Sequence, residues 1–136
     1  GPVGTTAYLR PYGLEWRMSE TVLTQLLGKH KAVMITRAGG LDQGNIVINL
    51  QNIIDEGLDP RNYHFLAGSA INGWRNKKGK YDPRGGAKAM EQAVYAFRDR
   101  KFDNGESNHV NRLHKYAKRR GFEELKAALE QRYKVR

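Results

Sequence analysis

A chain of 136 residues, 39% hydrophobic and 28% charged, suffices for one compact domain and is too short for two full-sized ones. It has no cysteine, which excludes disulfides, thiolate metal sites and a cysteine nucleophile, and no uncharged stretch approaches the ~18 apolar residues of a membrane span. Its 24 Lys and Arg outnumber 14 Asp and Glu, a net charge of +10 that calls for a polyanionic partner or a heavily solvated surface.

The opening residues Gly1 to Thr6 have neither the basic flank nor the apolar stretch of a signal peptide and read as a cloning remnant or a processed terminus. Residues 1–17 hold Tyr8, Leu9, Tyr12, Leu14 and Trp16 among prolines and glycines, without helical period, and are expected to form an extended aromatic arm. Residues 18–136 are expected to form a single, mostly helical domain with a basic second half. Ser19 suits an N-cap, and Val22, Leu23, Leu26 and Leu27 make a helical stripe that stops at Gly28. The β-branched runs Ala32 to Thr36 and Asn45 to Leu50 flank a turn-rich segment, so residues 31–50 read first as a β-hairpin. Ile46, Leu50, Ile53 and Ile54 also fit a helical face, which keeps a helix open for the second run.

From Asp59-Pro60, a cap and first-turn pair, the residues Tyr63, Leu66, Ala67, Ala70, Ile71 and Trp74 recur at three- and four-residue steps and predict a helix. A basic loop, Asn76 to Gly86, interrupts the pattern. Ala89, Ala93, Ala96 and Phe97 predict a second helix, and Ser107 can cap a third that turns Val110, Leu113, Tyr116 and Ala117 inward and closes at Gly121. A last helix buries Phe122, Leu125, Leu129 and Tyr133. The fold class is therefore mainly α, with five to six helices, the extended arm and the hairpin.

The charge is unevenly placed. Residues 1–68 carry six basic and six acidic side chains, whereas the remainder carries 18 basic against 8 acidic, so all of the surplus follows Gly68. Nucleic acid is the commonest polyanion for such a surplus, with an acidic protein or anionic lipid as alternatives.

Two surfaces stand out as candidates. On the predicted third helix Arg112, Lys115 and Arg119 recur at i, i+3 and i+7, beside Lys118 and Arg120, with no acid interleaved to neutralise them. Such a stripe can follow a phosphate backbone, although most charged helical faces are solvated faces. The loop offers Arg75, Lys77, Lys78, Lys80, Arg84 and Lys88, with Tyr81 as a stacking ring and with Gly79, Gly85 and Gly86 freeing backbone amides to approach phosphates. Trp74 is placed equally well for core packing or base stacking. No Walker ending follows the glycines. His109 and His114, five residues apart, point about 140° apart on a helix and do not form a metal pair. A nuclease centre assembled from distant acids such as Asp82, Asp99 and Asp103 is not proposed by any spacing.

The run Gly44-Asn45-Ile46 through Ile53-Ile54-Asp55-Glu56-Gly57-Leu58-Asp59-Pro60-Arg61 resembles the segment after the signature loop of class I tRNA synthetases, the cysteinyl enzyme in particular. The catalytic lysine–serine loop and nucleotide-binding histidines of that family have no counterpart, so the resemblance implies no active residue. Phe65 to Ile71 with Lys77-Lys78-Gly79-Lys80 is similar to a helix and basic loop of small phage proteins linked to nucleotide metabolism. The layout of aromatic arm, neutral half and basic helical half resembles virus nucleocapsid proteins, an analogy of architecture only.

These readings converge on one expectation: a non-enzymatic protein, intracellular or in a virion, that binds DNA or RNA through phosphates with little sequence preference and self-associates through its first half, as a viral or phage packaging protein does. No cofactor, metal or membrane partner is expected. An adaptor for an acidic protein and a small nucleotide-handling enzyme are the competing expectations.

Overall fold

The computed structural model describes Met18, residues 34–99 and residues 108–136. The expected arm, the Ser19-capped helix and Ser107 lie outside the described residues. What is described is mainly helical, with a two-stranded sheet, and none of its helices is long and apolar enough to cross a membrane. The elements are β1 (Ile35–Ala38), α1 (Ile46–Asp55), β2 (Tyr63–Leu66), α2 (Gly68–Asn72), α3 (Pro83–Asp99), α4 (His109–Arg120) and α5 (Glu123–Arg132). They divide into two compact units, one comprising residues 34–41 and 53–67, the other residues 42–52 and everything described from Gly68 onward.

The first unit corrects the hairpin. β1 pairs in parallel with β2, Ile35 opposite Tyr63 and Ala38 opposite Leu66, and not with the run after Asn45. That second run takes its alternative reading and is helical from Ile46, because Asp42 stops the turn and starts a helix. The Asp42 carboxylate accepts the Gly44 and Asn45 amides at 2.8 Å, and its carbonyl accepts the Ile46 amide at 3.1 Å. The helix predicted after Pro60 is also corrected. Asp59 caps, and Pro60 opens, only a single 3₁₀ turn through Asn62. The chain then extends, with Tyr63 buried, Phe65 half-buried and His64 and Leu66 exposed, the two-residue alternation of a strand. Ile53, from the last turn of α1, packs on Ile35 and Tyr63, with Leu58 and Phe65 beside them. That small apolar cluster, lacking in the isolated segment, makes the strand pairing worth more than helical propensity.

The second unit follows the predicted periods more closely. Ala89, Ala93 and Ala96 are fully buried on α3, so that α5 approaches closely through Leu125, Ala128 and Leu129. Leu113 and Ala117 of α4 are likewise fully buried. The cap of α4 is Asn108, whose side chain accepts the Val110 and Asn111 amides, and Gly121 closes the helix at φ 68°. Phe122 opens α5 without a side-chain cap, and α3 supplies the missing acceptor: Gln92 Oε1 takes the Leu125 amide at 2.9 Å. Tyr133 is half-buried, and its hydroxyl donates to Asp42 at 2.8 Å.

Candidate nucleic-acid interface

The basic loop is an ordered turn. Trp74 is its inner anchor, 8% exposed and packed on Ala89 and Ala128, with its indole N–H donating to the Glu124 carbonyl at 3.1 Å. Core packing, not base stacking, is therefore the role of Trp74. Arg75 and Tyr81 face each other in an antiparallel bridge, and Asp82 N–H bonds Trp74 C=O at 2.8 Å. At the tip, the Asn76 side chain accepts the Lys78 and Lys80 amides, and Gly79 takes φ 75° as it donates to Asn76 C=O. Lys78 and Lys80 are thereby fixed by their backbones, and Lys77, Lys78 and Lys80 are exposed.

Gly85 and Gly86 do not serve phosphates. Both are buried in the first turn of α3, where the Asp82 carboxylate accepts the Arg84 and Gly85 amides. A Cβ on Gly85 would meet the Trp74 ring at 2.1 Å, and one on Gly86 would meet the Ile71 carbonyl oxygen at 2.2 Å. These glycines let α2 and the Trp74 anchor touch α3.

The predicted stripe on α4 falls on its outer arc. Val110, Leu113, Tyr116 and Ala117 are buried, Arg112 is half-buried, and Lys115, Lys118, Arg119 and Arg120 are exposed. No carboxylate belongs to α4. Arg120 is held in place: its guanidinium lies 5.5 Å from the Tyr95 ring and 5.7 Å from the Phe122 ring, and donates to the Tyr95 hydroxyl at 3.3 Å. Arg119 lies 6.0 Å from the Tyr116 ring. Beneath both arginines is a hollow of about 220 Å³ that includes Tyr116 and Asp99. The Tyr116 hydroxyl donates to Asp99 at 2.7 Å, and burial together with that carboxylate pushes the phenol up to about 12.

Sequence reasoning missed the outer face of α3. Arg84, Lys88, Glu91, Tyr95 and Arg98 follow at i, i+4, i+7, i+11 and i+14, and all five are exposed. The period is present in the sequence, but the alanines of the opposite face carry the stronger apolar pattern. Through Tyr95 and Arg120 this outer face adjoins the C-terminal end of α4. Arg84 and Lys88 thus share the α3 face whose Tyr95 contacts Arg120.

The inner side of the loop is mixed in sign. A groove of about 380 Å³ is bounded by Arg75 and Lys77 on one side and by Glu123, Glu124 and Glu130 of α5 on the other. Lys88 Nζ pairs with Glu124 at 3.5 Å. Burial pushes the Glu124 carboxyl up, but the hydrogen bond from Gln92 and the Lys88 ammonium more than offset this and hold it below the usual range. Only the outward face of the loop is left to a polyanion.

Asp103 lies outside the described residues, and the remaining described candidates do not assemble. Asp82 and Asp99 bound opposite ends of α3, about 25 Å apart by helical rise, and each is engaged locally. Burial pushes the His109 imidazole down, and buried His114 bonds Glu130 at 2.9 Å. Among the described residues no three His, Asp or Glu side chains are grouped to hold a metal ion. Neither protein-family models, nor curated proteins, nor solved structures give a match to this chain, so the local resemblances carry no argument beyond the sequence.

Proposed function

We propose that this chain binds nucleic acid by its phosphate backbone, with weak sequence preference and no chemistry of its own. The observation that carries the reading is the density of cations on α4, where Lys115, Lys118, Arg119 and Arg120 are exposed and Arg112 is half-buried. Isolated cations lose little by remaining in water, but a row of them repels itself, and a phosphate chain relieves that repulsion while releasing counterions. The exposed loop lysines and the Arg84 and Arg98 side chains extend the cationic surface, while Lys88 is shared with Glu124. The cations are many and are spread over a loop and two helices, which supports positioning contacts rather than sequence readout.

The test is a titration of labelled oligonucleotides at several salt concentrations. With roughly 6–10 phosphate contacts, affinity falls by about 10³ to 10⁵ between 50 and 200 mM salt. A flat salt response overturns the reading. Failure of any oligonucleotide to alter elution on size exclusion, with binding instead to an acidic protein, replaces it with the adaptor.

A further inference from the structure

We infer that Tyr81 and Tyr95 are two stacking platforms for unpaired bases, so that the ligand of the cationic surface is single-stranded nucleic acid in preference to duplex. The inference rests on the phosphate-binding reading above and adds strandedness to it. Of the five described tyrosines, Tyr63 and Tyr116 are buried and Tyr133 is half-buried against Asp42, whereas Tyr81 is 65% and Tyr95 44% exposed. An exposed ring normally moves freely, yet both of these are held by an arginine in the same way. The Arg75 guanidinium lies 5.0 Å from the Tyr81 ring and donates to its hydroxyl at 3.0 Å; that of Arg120 lies 5.5 Å from Tyr95 and donates at 3.3 Å. Tyr95 is steadied further by an edge contact to Phe122 at 5.7 Å. Each ring is thus pre-organised, with a guanidinium over one face and bonded to its hydroxyl, so that the opposite face is the one a base would stack on, and little freedom remains to be lost on binding.

The spacing suits a strand. Tyr81 stands two residues ahead of α3, and the rise from Pro83 to Tyr95 is about 18 Å, a span that a few nucleotides of an extended strand cover. Arg84 and Lys88, on the same exposed face as Tyr95, lie between the two tyrosines along the chain; Lys88 is shared with Glu124 and Glu91 stands between it and Tyr95, so the cations between them group at the Tyr81 end and Arg120 serves the Tyr95 end. In a duplex the bases are already stacked and paired, and neither ring could engage them without disrupting that order. The rings therefore add affinity only for an unpaired strand.

The experiment compares binding of the full chain to a 20-nucleotide oligothymidylate, which forms no hairpins, with binding to a 20-base-pair duplex at one low salt concentration. The expected result is tighter binding of the single strand. Tyr81→Ala and Tyr95→Ala should each weaken it by about five- to 150-fold with duplex binding unchanged, while Tyr81→Phe and Tyr95→Phe, which keep the ring, retain most of the affinity. Melting curves verify that the variants fold, and the phenylalanine pair keeps the test decisive should an alanine variant not. Equal or tighter binding of the duplex overturns the inference, as does an equal loss for both ligands in a folded alanine variant. Salt-dependent duplex binding without single-strand preference removes this inference alone; no binding to either removes the phosphate-binding reading as well.

Discussion

Gly86→Ala separates two accounts of the glycine pair that follows the basic loop. If the pair served to free amides for phosphate, alanine inside α3 would be harmless or helpful, since the substitution gains up to about 1 kcal/mol of helical propensity. Steric crowding opposes that gain and exceeds it. The new methyl would lie 2.2 Å from the Ile71 carbonyl oxygen and 2.8 Å from two further Ile71 backbone atoms, and backbone cannot rotate aside as a side chain can. The Gly86 carbonyl is itself tied, accepting from buried Gln43 Nε2 at 3.1 Å while the same nitrogen donates to Ala70 at 3.2 Å. The α2–α3 junction must therefore open as a whole. Overpacking costs about 1–3 kcal/mol, and an unyielding neighbour places this site at the upper end. The net loss should be about 2 kcal/mol, a fall in melting temperature on the order of 8 °C. Gly68→Ala is the matched control, because its Cβ would meet nothing within 4 Å; it should be neutral or slightly stabilising. Thermal and urea unfolding of the two variants measure the difference. A Gly86→Ala protein as stable as wild type would refute the close contact and with it the placement of Arg84 and Lys88.

Asn108→Ala should destabilise by about 1 kcal/mol in urea unfolding, because the Val110 and Asn111 amides lose their acceptor, and Asn108→Asp should recover most of it. Tyr116→Phe tests a pH-dependent contribution to stability. The unfolded phenol ionises near 10 and the folded one at about 12, so the stability Tyr116 contributes is complete below 10 and is lost as pH rises through 12. The phenylalanine variant, which also forgoes the bond to Asp99, should be less stable at neutral pH and should lose less between pH 10 and 12. Glu124 works at the acid end. Its depressed carboxyl contributes stability above 4.5 that disappears as pH falls through its folded value, so Glu124→Gln should flatten that acid limb.

Local order is legible in the sequence, and non-local order is not. The stripes of α4 and α5 can be read because Leu113, Ala117, Leu125 and Leu129 repeat at the helical period within single segments. β2 reads as helix because Tyr63 and Leu66 are also three apart, and four residues cannot arbitrate between periods; the parallel pairing to β1, nearly thirty residues earlier, decides it. Asn108 and Ser107 are equally good caps in isolation, and both leave Val110 and Leu113 facing inward; what assigns the cap is the Asn108 side chain accepting the Val110 and Asn111 amides. At the candidate site the cations of α4 can be assigned to the outer arc from spacing alone. What spacing does not show is that Gly85 and Gly86 face inward, that Lys88 pairs with Glu124, or that Arg120 reaches Tyr95 of α3, since each of these depends on how α3 packs with its neighbours.

The central claim is that the cationic arc of α4 contacts phosphates. Arg112, Lys115 and Arg119 replaced together by alanine, with affinity followed against salt for two unrelated oligonucleotide sequences, tests it most directly. Three lost contacts should reduce the slope of log affinity against log salt by about 2–3, and by the same amount for both sequences. An unchanged slope in a folded triple variant would contradict the claim.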